Sequence, residues 1–533
     1  MTRANRWPQR AVTTMLIGLL LAAACGPSTA APAPAAAAPA AAASAAAATA
    51  AAAPASGGTL NYGQNFPVQT ADPHNQKGSA DHAIFFSVYD RLVELDLATL
   101  QPTPSLATSW KSTSDTSWEL KLRTDVKFSD GTPFNAAAAK ESMERASQQA
   151  SSRAFAGNIA SVEAPDAATL VLKTKTPNPQ TIFNLGVGQV SIIAPSALKQ
   201  GSDWLATHAI GSGPFTLTEW KANERFVLER SATYWGAAKA KLDKVIIRQL
   251  PNDSSRLAAL QAGDIDTAVG PPAQSVKQLS ADPKFDVIRA PQVSTWFVMY
   301  NLQDPAMKVL KFRQGLNMAV NREALNTQAC EGLLRTANSV LPPEALGFKE
   351  TDPGIKIEYN VDKAKQLLAE SGVNLGTTTL QIISQVPLCG DPVILALQED
   401  LRKAGVKTEI VKLDAATAND RYQKATYQLG PQGWQALDPD SHLRRTWSDK
   451  GPFGYAHPNN ADFEARIDKA SSTLNDAERY AIYKGTFKQM IEEAWFMPVF
   501  YVNTIVAQTK KLQGMKYHPI LGIPLFAGAS LSK

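Results

Sequence analysis

Residues 104–134 read PSLATSWKSTSDTSWELKLRTDVKFSDGTPF, and this stretch decides the class of fold. Trp118-Glu-Leu-Lys-Leu-Arg123 alternates apolar and polar residues with period two. That pattern predicts a half-buried strand, because successive strand side chains point to opposite faces. Ser129-Asp130-Gly131 follows as a turn. Asn135 then stands where its side chain can cap a helix running through Ala136–Ala139 to Arg145. Strand, turn and helix in close succession predict a mixed α/β protein. Further along, Asp391-Pro392 reads as the cap and first-turn proline of a helix that Gly405 closes before a strand over 406–412. Residues 476–493 place Tyr480, Tyr483, Phe487, Met490 and Ile491 on one helical face, a stripe that predicts packing against a core. The chain contains no internal repeat.

At 533 residues the chain exceeds one ordinary domain; at roughly 150 residues each it holds three or four. Hydrophobic residues make up 44%, charged 19% and aromatic 8%, the range of packed proteins and not of disordered ones. The formal charge is +5 less the three leader arginines Arg3, Arg6 and Arg10, or +2 for the mature chain. That balance argues against a nucleic-acid partner. The one long apolar segment is N-terminal, which excludes a multispan membrane protein. Residues 1–10 carry the arginines and residues 11–24 (AVTTMLIGLLLAAA) are apolar and end in alanines, so 1–24 reads as a secretory signal. Leu21-Ala22-Ala23-Ala24-Cys25 resembles a bacterial lipobox, with the leucine four and not three residues before the cysteine. The resemblance implies a lipid thioether on Cys25 that holds the protein to a membrane; the alternative is a plain secreted protein with an incidental cysteine. Residues 25–57 are almost pure Ala, Pro and Ser, interrupted by Pro32, Pro34, Pro39 and Pro54, and read as a spacer with nothing to bury.

With Cys25 lipidated, Cys330 and Cys389 remain. In an oxidising compartment they are a candidate disulfide, or else two buried thiols. The six histidines form no metal-binding spacing, so no metal and no cofactor is expected. Ser196-Ala-Leu-Lys199 matches a Ser-x-x-Lys pattern of acylating enzymes, but it lacks the companion motifs and follows Pro195 at an ordinary helix start. Gly186-Val-Gly188 lacks the third glycine of a nucleotide loop. No enzyme is expected.

The block at 104–134 is followed in order by Gly211-Ser-Gly-Pro-Phe215, Ala232-Thr-Tyr-Trp235 with Leu242-Asp243, and Arg256-Leu-Ala-Ala-Leu-Gln-Ala-Gly-Asp-Ile-Asp266. Asn301, Phe312-Arg-Gln-Gly-Leu-Asn317, Asp362-Lys-Ala-Lys-Gln-Leu-Leu368, Gly433-Trp434, Asp438-Pro439 and Ala494–Tyr501 complete the succession. Over residues 58–533 this resembles the family 5 extracellular solute-binding proteins, the oligopeptide- and dipeptide-binding components of ABC importers. Asn321 stands where the family often has Asp. The resemblance implies a periplasmic-binding-protein-like type II fold, two α/β lobes with a hinge and an extra subdomain inserted in lobe I. Lobe I is then expected at 58–292 with its insert at about 93–207, lobe II at 293–497, and a C-terminal return to lobe I at 498–533. The chain should cross near Trp296–Asn301 and return near Pro498–Tyr501.

The implied function is a lipid-anchored, monomeric receptor in the periplasm or on the outer cell surface. It captures a peptide or similar small solute between its lobes and delivers it to an ABC permease. Two alternatives stand beside it: a sensory or docking receptor on the same fold, and an importer component for an oligosaccharide, metal chelate or opine-like compound. Trp296, Trp434, Gln435, Asp438 and Arg445 are the candidate ligand-binding residues. The family's peptide binders hold the ligand ammonium with an aspartate shortly after the tryptophan. Here the run Gly433-Trp-Gln-Ala-Leu-Asp438-Pro439-Asp440 is shortened. Asp438 is therefore either that anchor or a helix cap, and Arg444 and Arg445 either pair with an anionic ligand or sit solvated on the following helix.

Overall fold

Two long strands, Phe285–Tyr300 and Phe496–Thr509, lie side by side at the centre of an eleven-stranded sheet. A computed structural model describes residues 57–532 apart from 238, 386, 387 and 436. The expected leader, Cys25 and all of the spacer but Gly57 lie outside the described residues. On one side of the central pair the sheet continues through Thr267–Val269, Thr59–Gln64, Lys244–Gln249, Arg225–Arg230 and Phe215–Lys221. On the other it continues through Leu429–Gln435, Thr379–Ser384 and Lys407–Lys412, while the short Arg335–Thr336 pairs with Phe496–Thr509.

The antiparallel ladder between the long strands is interrupted twice: a wide break in its middle and a single-residue shift at Val499, between Trp296↔Phe500 and Phe297↔Pro498. Pairing runs from Phe285↔Thr509 to Pro291↔Asn503 and resumes at Thr295↔Tyr501, so that Gln292, Val293 and Ser294 face Val502 alone. Such a bulge bends the strand and raises its local twist. Before the break the flanking partner is Thr267–Val269; after it, Leu429–Gln435. The strand's period-two alternation then divides its side chains between two cores. Trp296, Val298 and Tyr300 join Phe312, Leu380, Ile394 and Phe500, whereas Phe297 and Met299 join Trp447, Tyr483 and Phe496 on the opposite face.

A separate four-stranded antiparallel sheet is made by Ala107–Ser114, Ser117–Leu122, Thr169–Thr174 and Ile159–Asp166. Helix Ala136–Gln148 has Ala136, Ala138, Ala139, Met143 and Ala146 buried and is capped by Asn135, whose Oδ1 accepts the Ala138 N–H at 3.0 Å. Helix Asp476–Glu492 buries Tyr483, Phe487, Met490 and Ile491, with Tyr480 half-buried. One local expectation is corrected. Helix Asp391–Lys403 is capped by Gly390, not Asp391; Asp391 is its first helical residue and pairs with Lys412 at 2.6 Å. Gly405 at φ +90° ends that helix as expected. Cys330 and Cys389 are joined as a disulfide with Cα atoms 5.3 Å apart. No helix among the described residues is long and apolar enough to cross a membrane.

Candidate functional site

The hairpin Lys516–His518/Ile523–Leu525 carries a four-residue tip, 519–522, against the broken section of the central ladder. Its position there depends on glycine. Gly522 has φ +64°, and a Cβ on it would lie 1.7 Å from Thr504 Oγ1 of the long strand. Two concave chambers meet along Leu521 and Ile523 of this hairpin. The first, about 480 Å³, is lined by Gln76, His82, Phe86, Phe155 and Gln189 on one wall and by Gln435, Leu437, Arg445 and Phe453 on the other. The second, about 430 Å³, lies over the ladder itself, where Gln292, Asn503 and Thr504 meet Gln64, Asn65, Phe66 and Leu388. Both volumes fall within the roughly 300–1,000 Å³ of small-molecule sites. A larger concavity, about 660 Å³, sits at the far end of the sheet. Most of its charges are paired among themselves, Arg225 with Glu219 and Lys244 with Glu229, each at 3.0 Å, while Arg248 donates to the Asp264 carbonyl. It is made by one end of the sheet alone.

In the first chamber His82 is buried, and burial holds its imidazole below its usual value, hence neutral near pH 7. Its Nδ1 lies 3.1 Å from both the Ser79 carbonyl and Gln76 Nε2. Gln189 donates to Gln76 Oε1 at 2.8 Å. Opposite them, the Arg445 guanidinium lies 5.6 Å from the centre of the Phe453 ring. Surrounding protein pulls its pKa down while the charge of Asp438 pulls it up.

The candidate residues separate into three groups. Gln435 and Arg445 line the first chamber. Trp434 does not line it but supports its wall, packing at a tilt against Phe453 with ring centres 4.2 Å apart. Trp296 is turned away from the chamber, and Asp438 takes the second of its two expected roles, the helix cap. Trp296 is 3% exposed and stacks on Phe500 inside a core, because its parity on the strand turns it there. Asp438 is equally buried and caps Pro439–His442, accepting the Ser441 N–H at 3.0 Å. Burial first, and the neighbouring charge of Asp440 second, push its carboxyl up to about 6, against the pull of the Ser441 hydrogen bonds. Arg444, by contrast, pairs with Asp468 at 2.8 Å. Ser196 donates its hydroxyl to Asp130.

The opposite wall, His82, Phe86, Phe155 and Gln189, was not found from sequence. One signal was available in Gly188, already singled out as part of Gly186-Val-Gly188. A Cβ there would lie 2.7 Å from His82 Cδ2 and 2.9 Å from Phe86 Cε2, so the glycine is what lets the chain pass close to this wall.

The sequence model described as bacterial extracellular solute-binding proteins, family 5 Middle, matches residues 101–454. The glutathione-binding protein GsiB of Escherichia coli (strain K12) is 27% identical over 475 residues, covering 86% of this chain and 92% of its own. Among solved structures, DppA of Helicobacter pylori in complex with the peptide STSA is 25% identical with a TM-score of 0.72, covering 90% of this chain and 99% of that one. NikA from Brucella suis in complex with Fe(III)-EDTA is 22% identical with a TM-score of 0.81, covering 89% and 100%.

Proposed function

The chain belongs to the bacterial extracellular solute-binding proteins of family 5, the binding components of ABC importers, and on that premise we propose that it captures a peptide or similarly sized solute in the first chamber, with Arg445 as the group that meets an anionic end of the ligand. The observation that carries this reading is the origin of the walls. Gln435 ends the strand that flanks the long pair after the ladder break, and Leu437, Arg445 and Phe453 follow it, whereas His82, Phe86, Phe155 and Gln189 belong to the chain before the break. A ligand between them touches both walls only when they are close, so its binding favours closure about the break. We read the break as the hinge, with lobe I at 58–292 and 498–533 and lobe II at 293–497. The four-stranded sheet and its helix fall within the inserted subdomain at about 93–207. Glutathione and the peptide STSA, the ligands named for two relatives, support a solute of peptide size. The protein acts as a monomeric receptor without catalytic chemistry, is tethered through a lipid on Cys25, and presents its closed complex to the permease.

Native mass spectrometry of protein purified without denaturation tests the assignment. Wild type should carry a bound mass that Arg445→Gln loses. Removing one partner of a desolvated charge pair costs on the order of 2–5 kcal/mol, roughly a thirtyfold to several-thousandfold weakening. Equal retention by both proteins would remove Arg445 from the site.

A further inference from the structure

We infer that the solute this cleft selects carries an anionic group and no free ammonium: an N-blocked peptide, or another carboxylate without an amine. The inference rests on the solute-binding reading and deepens it. Its basis is the charge inventory of the two chambers. Among the described residues that line them, Arg445 is the one formally charged side chain near neutral pH, since His82 is buried and neutral. The charged groups around this lining already have partners. Asp438 is a buried helix cap bonded to Ser441 and offsets part of the charge of Arg445, Asp81 beside His82 accepts the N–H groups of Gln69, Lys77 and Gly78, Arg444 is paired with Asp468, and Arg91 stacks behind Phe86 and pairs with Glu94. An ammonium entering the cleft would therefore lose water, find no carboxylate, and be repelled by Arg445 across a medium that screens poorly.

A carboxylate meets the opposite conditions. The guanidinium offers charge-assisted bonds, and Gln435, on the same wall, has a buried Nε2 with no hydrogen-bond acceptor. The remainder of the ligand is uncharged. Beyond Leu521 the second chamber presents only neutral polar groups and apolar surface: Gln64, Asn65, Gln292, Asn503 and Thr504, with Phe66 and Leu388. Asn503 Oδ1 is buried there without a donor, so an amide N–H of the ligand satisfies it.

Calorimetry with tripeptides Ala-X-Ala in three forms separates the possibilities: unmodified, N-acetylated, and N-acetylated with a C-terminal amide. The N-acetylated acid should bind wild type at least tenfold more tightly than the unmodified peptide, and the doubly blocked form should lose that advantage. Gln435→Glu, close to isosteric, places a carboxylate in the chamber and should shift the preference at least tenfold towards the unmodified peptide. Equal or tighter binding of the unmodified peptide to wild type overturns the inference and leaves the solute-binding reading standing. Failure of the Gln435→Glu exchange to shift the preference also counts against it. If wild type binds none of the three forms, the peptide-sized reading falls together with the inference.

Discussion

Replacing Asp438 with asparagine should stabilise the protein at pH 8 and leave it unchanged at pH 4. Asp438 is 3% exposed, and its carboxyl titrates at about 6 in place of the ordinary 3.8, because burial and the adjacent Asp440 disfavour its charge. The folded state thus holds this proton more tightly than the unfolded chain does. The stabilisation that follows is fully present below about pH 4 and is lost as pH rises through about 6. Two units at about 1.4 kcal/mol each give an ionised carboxylate that costs the folded state on the order of 3 kcal/mol. Asparagine keeps the shape, caps a helix about as well, and does not ionise. The variant therefore gains up to that amount at pH 8. The same exchange removes the charge that partly neutralises Arg445, so affinity for an anionic solute should hold or improve. Calorimetric unfolding of both proteins at pH 4 and pH 8, with titration of the bound solute, reads both effects. Destabilisation by the same amount at both pH values would refute the burial argument. A hundredfold loss of affinity would make Asp438 the ligand's anchor and restore an amine as its partner.

Gly188→Ala should weaken solute binding by at least tenfold in titration calorimetry, because its new methyl must displace His82 or Phe86 from the first chamber; unchanged affinity would place the ligand elsewhere. Counting thiols on denatured, unreduced protein should find none at Cys330 and Cys389. Reduction should destabilise the protein by about 4 kcal/mol for a 59-residue separation on the chain-entropy model; two free thiols would reject the bridge. Cys25→Ala should move the protein from the membrane to the soluble extracytoplasmic fraction, and a variant that stays as firmly bound as wild type would place the anchor elsewhere.

The fold was legible because its signals are local and repeated. The alternation at 118–123, the cap at Asn135 and the helix stop at Gly405 each depend on a few adjacent residues; the strand appears one residue earlier than expected, and the helix from Ala136 runs three residues past Arg145, to Gln148. Asp391 shows where this fails: glycine can cap through its backbone alone, so a better side-chain capper next door misleads. The candidate site was legible along one wall only. Gln435 and Arg445 follow a recognisable motif on one wall, but the other wall is assembled from residues 76–86, 151–155, 187–189 and 520–523, which only the tertiary fold brings together. Trp296 was misplaced for a sharper reason. A strand shared by two cores gives every residue an apolar neighbourhood, so composition cannot tell which face turns to a cleft.

The position of Phe496–Thr509 within the sheet also governs how the molecule is made. This strand is synthesised near the end of the chain, yet it lies between Thr267–Val269 and Phe285–Tyr300, both completed some two hundred residues earlier. Until it arrives, Thr267–Val269 presents an open edge, and Phe285–Pro291 has no partner for its half of the ladder. The first half of the polypeptide therefore cannot reach its native pairing as it emerges, and must pay the closure of a very long loop before its sheet is complete. Nascent chains are thus kept from early commitment to a finished fold, and stay open to chaperones until the last strand is inserted.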